Sequence, residues 1–312
     1  MTARTGTRRG PAAPFAVAVG LLAALIGVHV QQVGASSRLP AALSETSLLP
    51  DSPTDRAVPA PSPAARTPGP AATAAVAAGD AVATATPGAT LGIAVLDQHT
   101  GAVSIGVSGA VPMYAASLVK IVVALDVVTM RRSGLPVLPA DLDLIRRALG
   151  PSDDEAMNTL WVRFDGHGAV GRVASRLGLT ETLAPDVPSR WGEALTSARD
   201  VVALYEHVLT ELPAADRDLL LGALAAAPPV ATDGFDQAYG LFGGAPGLPA
   251  VSKQGWMCCL GDRITLHSAG LPHDGGGRYV VALLSSVPRS VGYDGARTML
   301  TATADAVRAP LS

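Results

Sequence analysis

"YAASLVKIVVAL", Tyr114–Leu125, is the stretch on which the reading of this chain turns. Lys120 stands three residues after Ser117, at the head of an apolar run. Positions i and i+3 share one face of a helix, so the two side chains can meet. Either the lysine snorkels out of a core helix, or it is held beside the serine for chemistry. A serine hydroxyl is a weak nucleophile and needs a base within hydrogen-bond reach. A lysine desolvated by Ile121, Val122 and Val123 has its pKa pushed down toward that role. Backbone N–H groups at a helix start also favour negative charge developing on the serine. A serine and lysine at this spacing occur by chance in many chains, so neighbouring segments must decide.

Upstream, "TLGIAVLD" (Thr90–Asp97) and "AVSIGV" (Ala102–Val107) read as strands joined by the turn "QHTG". Before them, Ala71–Thr86 is alanine-rich and reads as a helix. From Ser117 a helix is expected to Arg132, stopped by Gly134 and Pro136. Helical patterns follow at Ala140–Leu149, Asp153–Arg163, Ala169–Leu177, Ser197–Leu212 and Ala214–Ala226. Strands return at Ala250–Met257, Arg263–Ser268 and Tyr279–Ser286, with "HDGGG" turning into the last, and Ala296–Val307 closes as a helix. Strands at both ends and helices between them argue for an α+β fold. The expected architecture is an antiparallel sheet of about five strands flanked by helices, with an inserted all-helical lobe over roughly 117–249. A cleft between lobes is a usual place for a ligand.

Two further stretches join the serine and lysine. "SDDEAMN" (Ser152–Asn158) opens the helical middle, and "VSKQG" (Val251–Gly255) lies on an expected strand. Here the chain resembles the penicillin-binding protein and serine β-lactamase superfamily, nearest its class A β-lactamase-like branch. That family carries S-x-x-K, S-D-N and K-T-G in this order; this chain has S-L-V-K, S-D-D and K-Q-G. "GIAVLDQHTGAVSIGV", Asn158 and "LTSARDVVALYEHVL" extend the likeness from about Ala71 to the C-terminus. The resemblance implies Ser117 as the acylated nucleophile and Lys120 as its base or proton relay. Ser152 would pass a proton to the leaving group, and Lys253 would face that hydroxyl and a substrate carboxylate with positive charge. The backbone N–H groups of Ser117 and Trp256 would form the oxyanion hole. Asp154, Gln254, Gly255 and Trp256 would line the substrate site.

Three departures bear on chemistry. Asp154 replaces an asparagine, and a carboxylate near Lys120 would favour its ammonium form. Gln254 replaces a hydroxyl residue that the family directs at a substrate carboxylate. Glu193, in "RWGEAL", is the only glutamate where the family's water-activating one would fall, and its surroundings differ. Efficient β-lactamase activity is therefore not expected. The resemblance implies a serine hydrolase acting on an amide or ester, a cell-wall peptide or slowly a β-lactam among the candidates. The alternative is a non-catalytic relative that binds a peptide or partner at the envelope.

Composition bounds the rest. A formal charge of -3 and 4% aromatic residues give no basis for nucleic-acid binding. Six histidines without ligand spacing give none for a metal, and no cofactor is implied. Arg4, Arg8 and Arg9 precede "FAVAVGLLAALIGVHV", so residues 1–35 read as a signal peptide or signal anchor, the only expected membrane contact. The only cysteines are Cys258 and Cys259, so a lipid-modified leader is excluded. Residues 36–70, rich in Pro and Ala, read as a disordered tether, and 71–312 as the folded domain. The adjacent cysteines read as buried thiols, with a vicinal disulfide or a redox or metal pair as alternatives.

Overall fold

The computed structural model describes residues 66–242, 250–272 and 277–312. The leader and most of the tether lie outside the described residues, as does nearly all of the "HDGGG" turn. The described residues form one compact unit.

Helix α1 (Pro70–Thr84) leads into strands β1 (Thr90–Asp97) and β2 (Ala102–Ile105). A short β3 (Met113–Tyr114) precedes α2 (Val119–Arg132), α3 (Pro139–Leu149), α4 (Asp154–Arg163) and α5 (Gly166–Leu177). Then come β4 (Leu195–Thr196), α6 (Ala198–Thr210) and α7 (Ala214–Ala225). Strands β5 (Val251–Leu260), β6 (Arg263–Leu271) and β7 (Tyr279–Pro288) and helix α8 (Gly292–Arg308) complete the fold. The order β2-β1-β7-β6-β5 makes one antiparallel sheet from the two ends of the sequence, with the helical middle inserted. This is the expected α+β architecture. The pair β3–β4 was invisible in the sequence, because two residues per strand carry no periodicity.

Seven of the eight residues of β1 are buried, which explains its near-continuous apolar run. Leu91, Ile93 and Val95 pack with α1 and α8, while Ala94 and Leu96 face α2 and α6. The close approach of α1 needs Gly79, where a Cβ would lie 2.5 Å from Ile93 Cδ1 and 2.9 Å from Val307 Cγ2. On the other face, every residue of α2 from Val119 to Val128 is buried. A helix enclosed on all sides leaves a lysine no way to snorkel. The opening alternative is thereby closed: Lys120 stays inside.

β5 runs three residues beyond the expected end, so both cysteines belong to this edge strand. Cys258 is exposed and Cys259 only partly buried against the core, which corrects the expectation of two buried residues: alternate positions on an edge strand face opposite sides.

Candidate active site

Three elements converge where the helical middle meets β5. Ser117 sits in a 3-10 turn, Ala116–Leu118, that runs directly into α2. Lys120 is in the first turn of α2, Ser152 in the loop before α4, and Lys253 on β5. All four side chains are buried.

The Ser152 hydroxyl is the hub. Lys120 Nζ donates to Ser152 Oγ at 3.1 Å, to the Ser152 carbonyl at 2.7 Å and to Asp154 Oδ1 at 2.6 Å. Lys253 Nζ donates to the same Ser152 Oγ at 2.8 Å and to the Gln254 carbonyl at 2.9 Å. Lys120, Ser152 and Lys253 are thus brought together. Ser117 stands one helical turn from Lys120, and among the described residues its hydroxyl has no hydrogen-bond partner.

Local structure fixes these positions. Asp153 caps α4 by accepting from the N–H groups of Glu155 and Ala156, and its other oxygen takes the Arg147 guanidinium. Thr232 donates its N–H and hydroxyl to the Pro151 carbonyl, clamping the loop from the other side. So held, Ser152 adopts a left-handed backbone, φ 57°, and Ala116, beside Ser117, has φ 46°. Such conformations cost about 1–3 kcal/mol and persist where surrounding structure imposes them, commonly at functional sites. Gly255 lets β5 close on the serine turn, since a Cβ there would lie 3.3 Å from Ser117 N.

Buried His267, on β6, ties the sheet to the segment before that turn. Its Nδ1 accepts the Ser285 N–H at 3.1 Å, so Nε2 carries the proton and donates to the Tyr114 carbonyl at 2.8 Å. Burial lowers its pKa to about 4, keeping it neutral. Sequence reasoning passed over His267, because a lone histidine on a strand carries no motif.

The two lysines are electrostatically unequal. Burial pushes both below the ordinary lysine value. At Lys120 the contact with Asp154 opposes that push. Lys253 is depressed further, because the charge of Lys120 adds to its burial and no carboxylate touches it. Lys120 makes three hydrogen bonds, one of them to a carboxylate, and Lys253 makes two, neither to a charged group.

The site opens into a cleft of about 290 Å³ lined by Ala116, Asp154, Trp191, Glu193, Trp256 and Met257, among others. Lys120 Nζ lies 5.1 Å from the Trp191 ring centroid, and the Trp191 indole donates to Asn158 Oδ1 at 2.8 Å. Trp256 stacks on Phe235 with ring centroids 4.6 Å apart and donates to Asp233 Oδ2 at 3.1 Å. Glu193 pairs with Arg190 at 3.3 Å. Of the expected substrate-binding residues, Asp154 and Trp256 line the cleft and Gly255 backs the serine turn. Gln254 is buried, and its amide donates to the Tyr239 carbonyl at 3.2 Å. Trp191 and Asp233 were not among the expected site residues, and only Trp191, two residues before Glu193, had a neighbour that marked it.

No protein-family model matches the chain. Its backbone superposes on a β-lactamase from Chitinophaga pinensis with a TM-score of 0.60, covering 75% of this chain and 97% of that one at 15% identity. A class A β-lactamase from Bacteroides cellulosilyticus gives 0.63, covering 77% and 98% at 15% identity. The chain has the class A β-lactamase fold. A class A β-lactamase from Mycobacterium abscessus shares this fold at 0.57, with 75% and 98% covered and 17% identity. By sequence, the chain matches "Putative lipoprotein LppW" of Mycobacterium tuberculosis and of Mycobacterium bovis, 35% identical over 179 residues. That match spans 56% of this chain and 56% of the relative, little more than half of each. At 15–17% identity to the solved structures the likeness is one of β-lactamase fold, and the chemistry rests on this chain's own residues.

Proposed function

We propose that this chain is a serine hydrolase of the cell envelope that cleaves an amide or ester through an acyl-Ser117 intermediate. The observation that carries the reading is the Ser152 hydroxyl held by two buried lysine amines, at 3.1 and 2.8 Å. A structural lysine needs no such arrangement, and two buried amines within hydrogen-bond reach of one hydroxyl support a proton relay.

Ser117 Oγ attacks the substrate carbonyl carbon as its proton passes to Lys120 in the amine form. The tetrahedral oxygen takes hydrogen bonds from the N–H groups of Ser117 and Trp256, which the close approach of Gly255 to Ser117 N supports. The proton then moves through Ser152 to the leaving amine or alcohol as the bond to the carbonyl carbon breaks. Water later adds to the acyl-enzyme, giving the acid and free Ser117. Glu193 lies on the cleft wall but is engaged by Arg190. Water activation is therefore poor, and a β-lactam would be held as an acyl-enzyme far longer than it is turned over. Export follows from the leader-like residues 1–35 and the tether to about residue 70, and the name of the mycobacterial relative supports an envelope location.

A second reading has one observation in its favour. The 2.6 Å contact between Asp154 and Lys120 favours the ammonium form of Lys120, which cannot accept a proton. A protein left in that state would bind ligands without cleaving them. Incubation of the full chain with a fluorescent penicillin and a fluorophosphonate, followed by peptide mass spectrometry, separates the two. Labelling at Ser117 that disappears in Ser117→Ala is the hydrolase result. A folded chain inert to both probes is the binding result.

A further inference from the structure

The Lys120–Asp154 pair is lopsided. The lysine side chain is 0% exposed, while that of Asp154 is 57% exposed and faces the cleft. A ligand can reach the carboxylate without reaching the ammonium. Among the described residues, the other charged groups at the opening are already partnered: Glu193 by Arg190, and Asp233 by the indole N–H of Trp256 and the N–H of Phe235. Ala116, the residue before Ser117, lines the same cleft as Asp154. A ligand group on Asp154 is therefore close to an acyl carbon presented to Ser117.

Resting on the hydrolase reading above, we infer that Asp154 selects substrates whose acyl part carries a cationic group close to the carbonyl. By taking over this carboxylate, that group releases Lys120 to act as base. The exchange balances. One positive charge enters beside Asp154, and Lys120, left buried next to Lys253 with only the more distant charges of Asp153 and Asp233 to favour the ammonium, gives one proton to solvent. The lysine then keeps two N–H donors for the Ser152 oxygens and turns its lone pair to Ser117. Burial continues to oppose the ammonium once the carboxylate is engaged elsewhere. Without the cation the site stays locked, which gives selectivity by an unfavourable state as well as by attraction. An anionic acyl group meets Asp154 directly and is repelled.

The test uses the full-length chain and three phenyl esters of matched size, with trimethylammonioacetyl, 3,3-dimethylbutanoyl and malonyl acyl groups. Each rate is divided by that of uncatalysed hydrolysis. The expected order is cationic, then neutral, then anionic, with about a tenfold or greater advantage in kcat/KM for the cationic ester over the neutral one. Asp154→Asn should erase that advantage and raise the neutral ester. Wild-type turnover of the neutral ester equal to or faster than the cationic one overturns the inference, whether or not the variant folds. If no ester is turned over, the hydrolase reading fails, and the ligand class is decided by titrating trimethylammonioacetamide calorimetrically in two buffers of different ionisation enthalpy. Binding with release of about one proton per ligand, absent in Asp154→Asn, supports it. No binding, or binding without proton release, overturns it.

Discussion

The helical side and the sheet side of the site each hold a lysine against the same hydroxyl, in opposite charge environments. On the helical side, Lys120 is wrapped by Ser152 and a solvent-facing Asp154, so burial is opposed by a carboxylate. On the sheet side, Lys253 meets only a hydroxyl and a carbonyl, and burial is reinforced by a neighbouring like charge. Residue type alone did not assign roles to these lysines, and their neighbours do. The lysine with a carboxylate partner has a counter-charge that solvent can reach, and the lysine without one is the more strongly depressed of the two.

Breaking the hub tests this contrast most severely. Lys253→Met should lower kcat/KM for any ester the protein cleaves by about 10²-fold or more, the usual scale for removing a proton-transfer group. The same variant reads the charge of Lys253 through stability. A folded pKa below the unfolded value means the unfolded chain binds more protons between the two. Stability should therefore rise with pH over the part of pH 7–10 above the depressed value and below the ordinary 10.5. Urea unfolding across pH 7–10 should show this rise in the wild type and a flatter curve in Lys253→Met. Parallel curves would mean that Lys253 is charged in the fold.

His267 anchors the sheet side, and its effect is smaller. Its pKa falls from 6.5 to about 4 on folding, so stability is complete above pH 6.5 and is lost as pH drops through that window. The loss should reach about 3 kcal/mol, at 1.36 kcal/mol per unit. His267→Gln should remove this acid limb from the unfolding profile, and an unchanged limb would place the titration elsewhere. Gly255→Ala tests how closely the strand must approach the serine turn. Its Cβ would sit 3.3 Å from Ser117 N and from the Ala115 carbonyl, tight enough to push β5 outward. About a tenfold fall in kcat with little change in KM is expected, since the displaced donors act in the transition state. The smallest effect belongs to the helical side. Trp191→Leu removes the ring beside Lys120 and should cost about 1 kcal/mol in chemical unfolding. A much larger loss would show that the indole holds the loop as well as the cation.

Much of the frame was legible in the sequence because it repeats. β1 occurs as read, Thr90–Asp97, and the helical middle falls within a few residues of its expected bounds. Periodicity fails where elements are two residues long, as in β3 and β4, and at the start of α2, where Ser117 belongs to a 3-10 turn preceding the helix. Within the site, Ser117, Lys120, Ser152 and Lys253 could be named from three short motifs. Asp233 and His267 could not, since each reaches the site through contacts with residues distant in the chain. Gln254 shows the converse: its motif points to the cleft, while the strand turns its side chain beneath the sheet against Tyr239.

Local order along the chain specified the kinds of groups available and the sequence in which they arrive. It did so because helix and strand periods, and the spacing of a serine from a lysine, are local properties. Which lysine meets a carboxylate, which hydroxyl lies between the two, and which side of the ion pair faces solvent came from the fold in three dimensions. Those are distances between residues 120, 152, 154 and 253, and packing alone brings such residues within hydrogen-bond range.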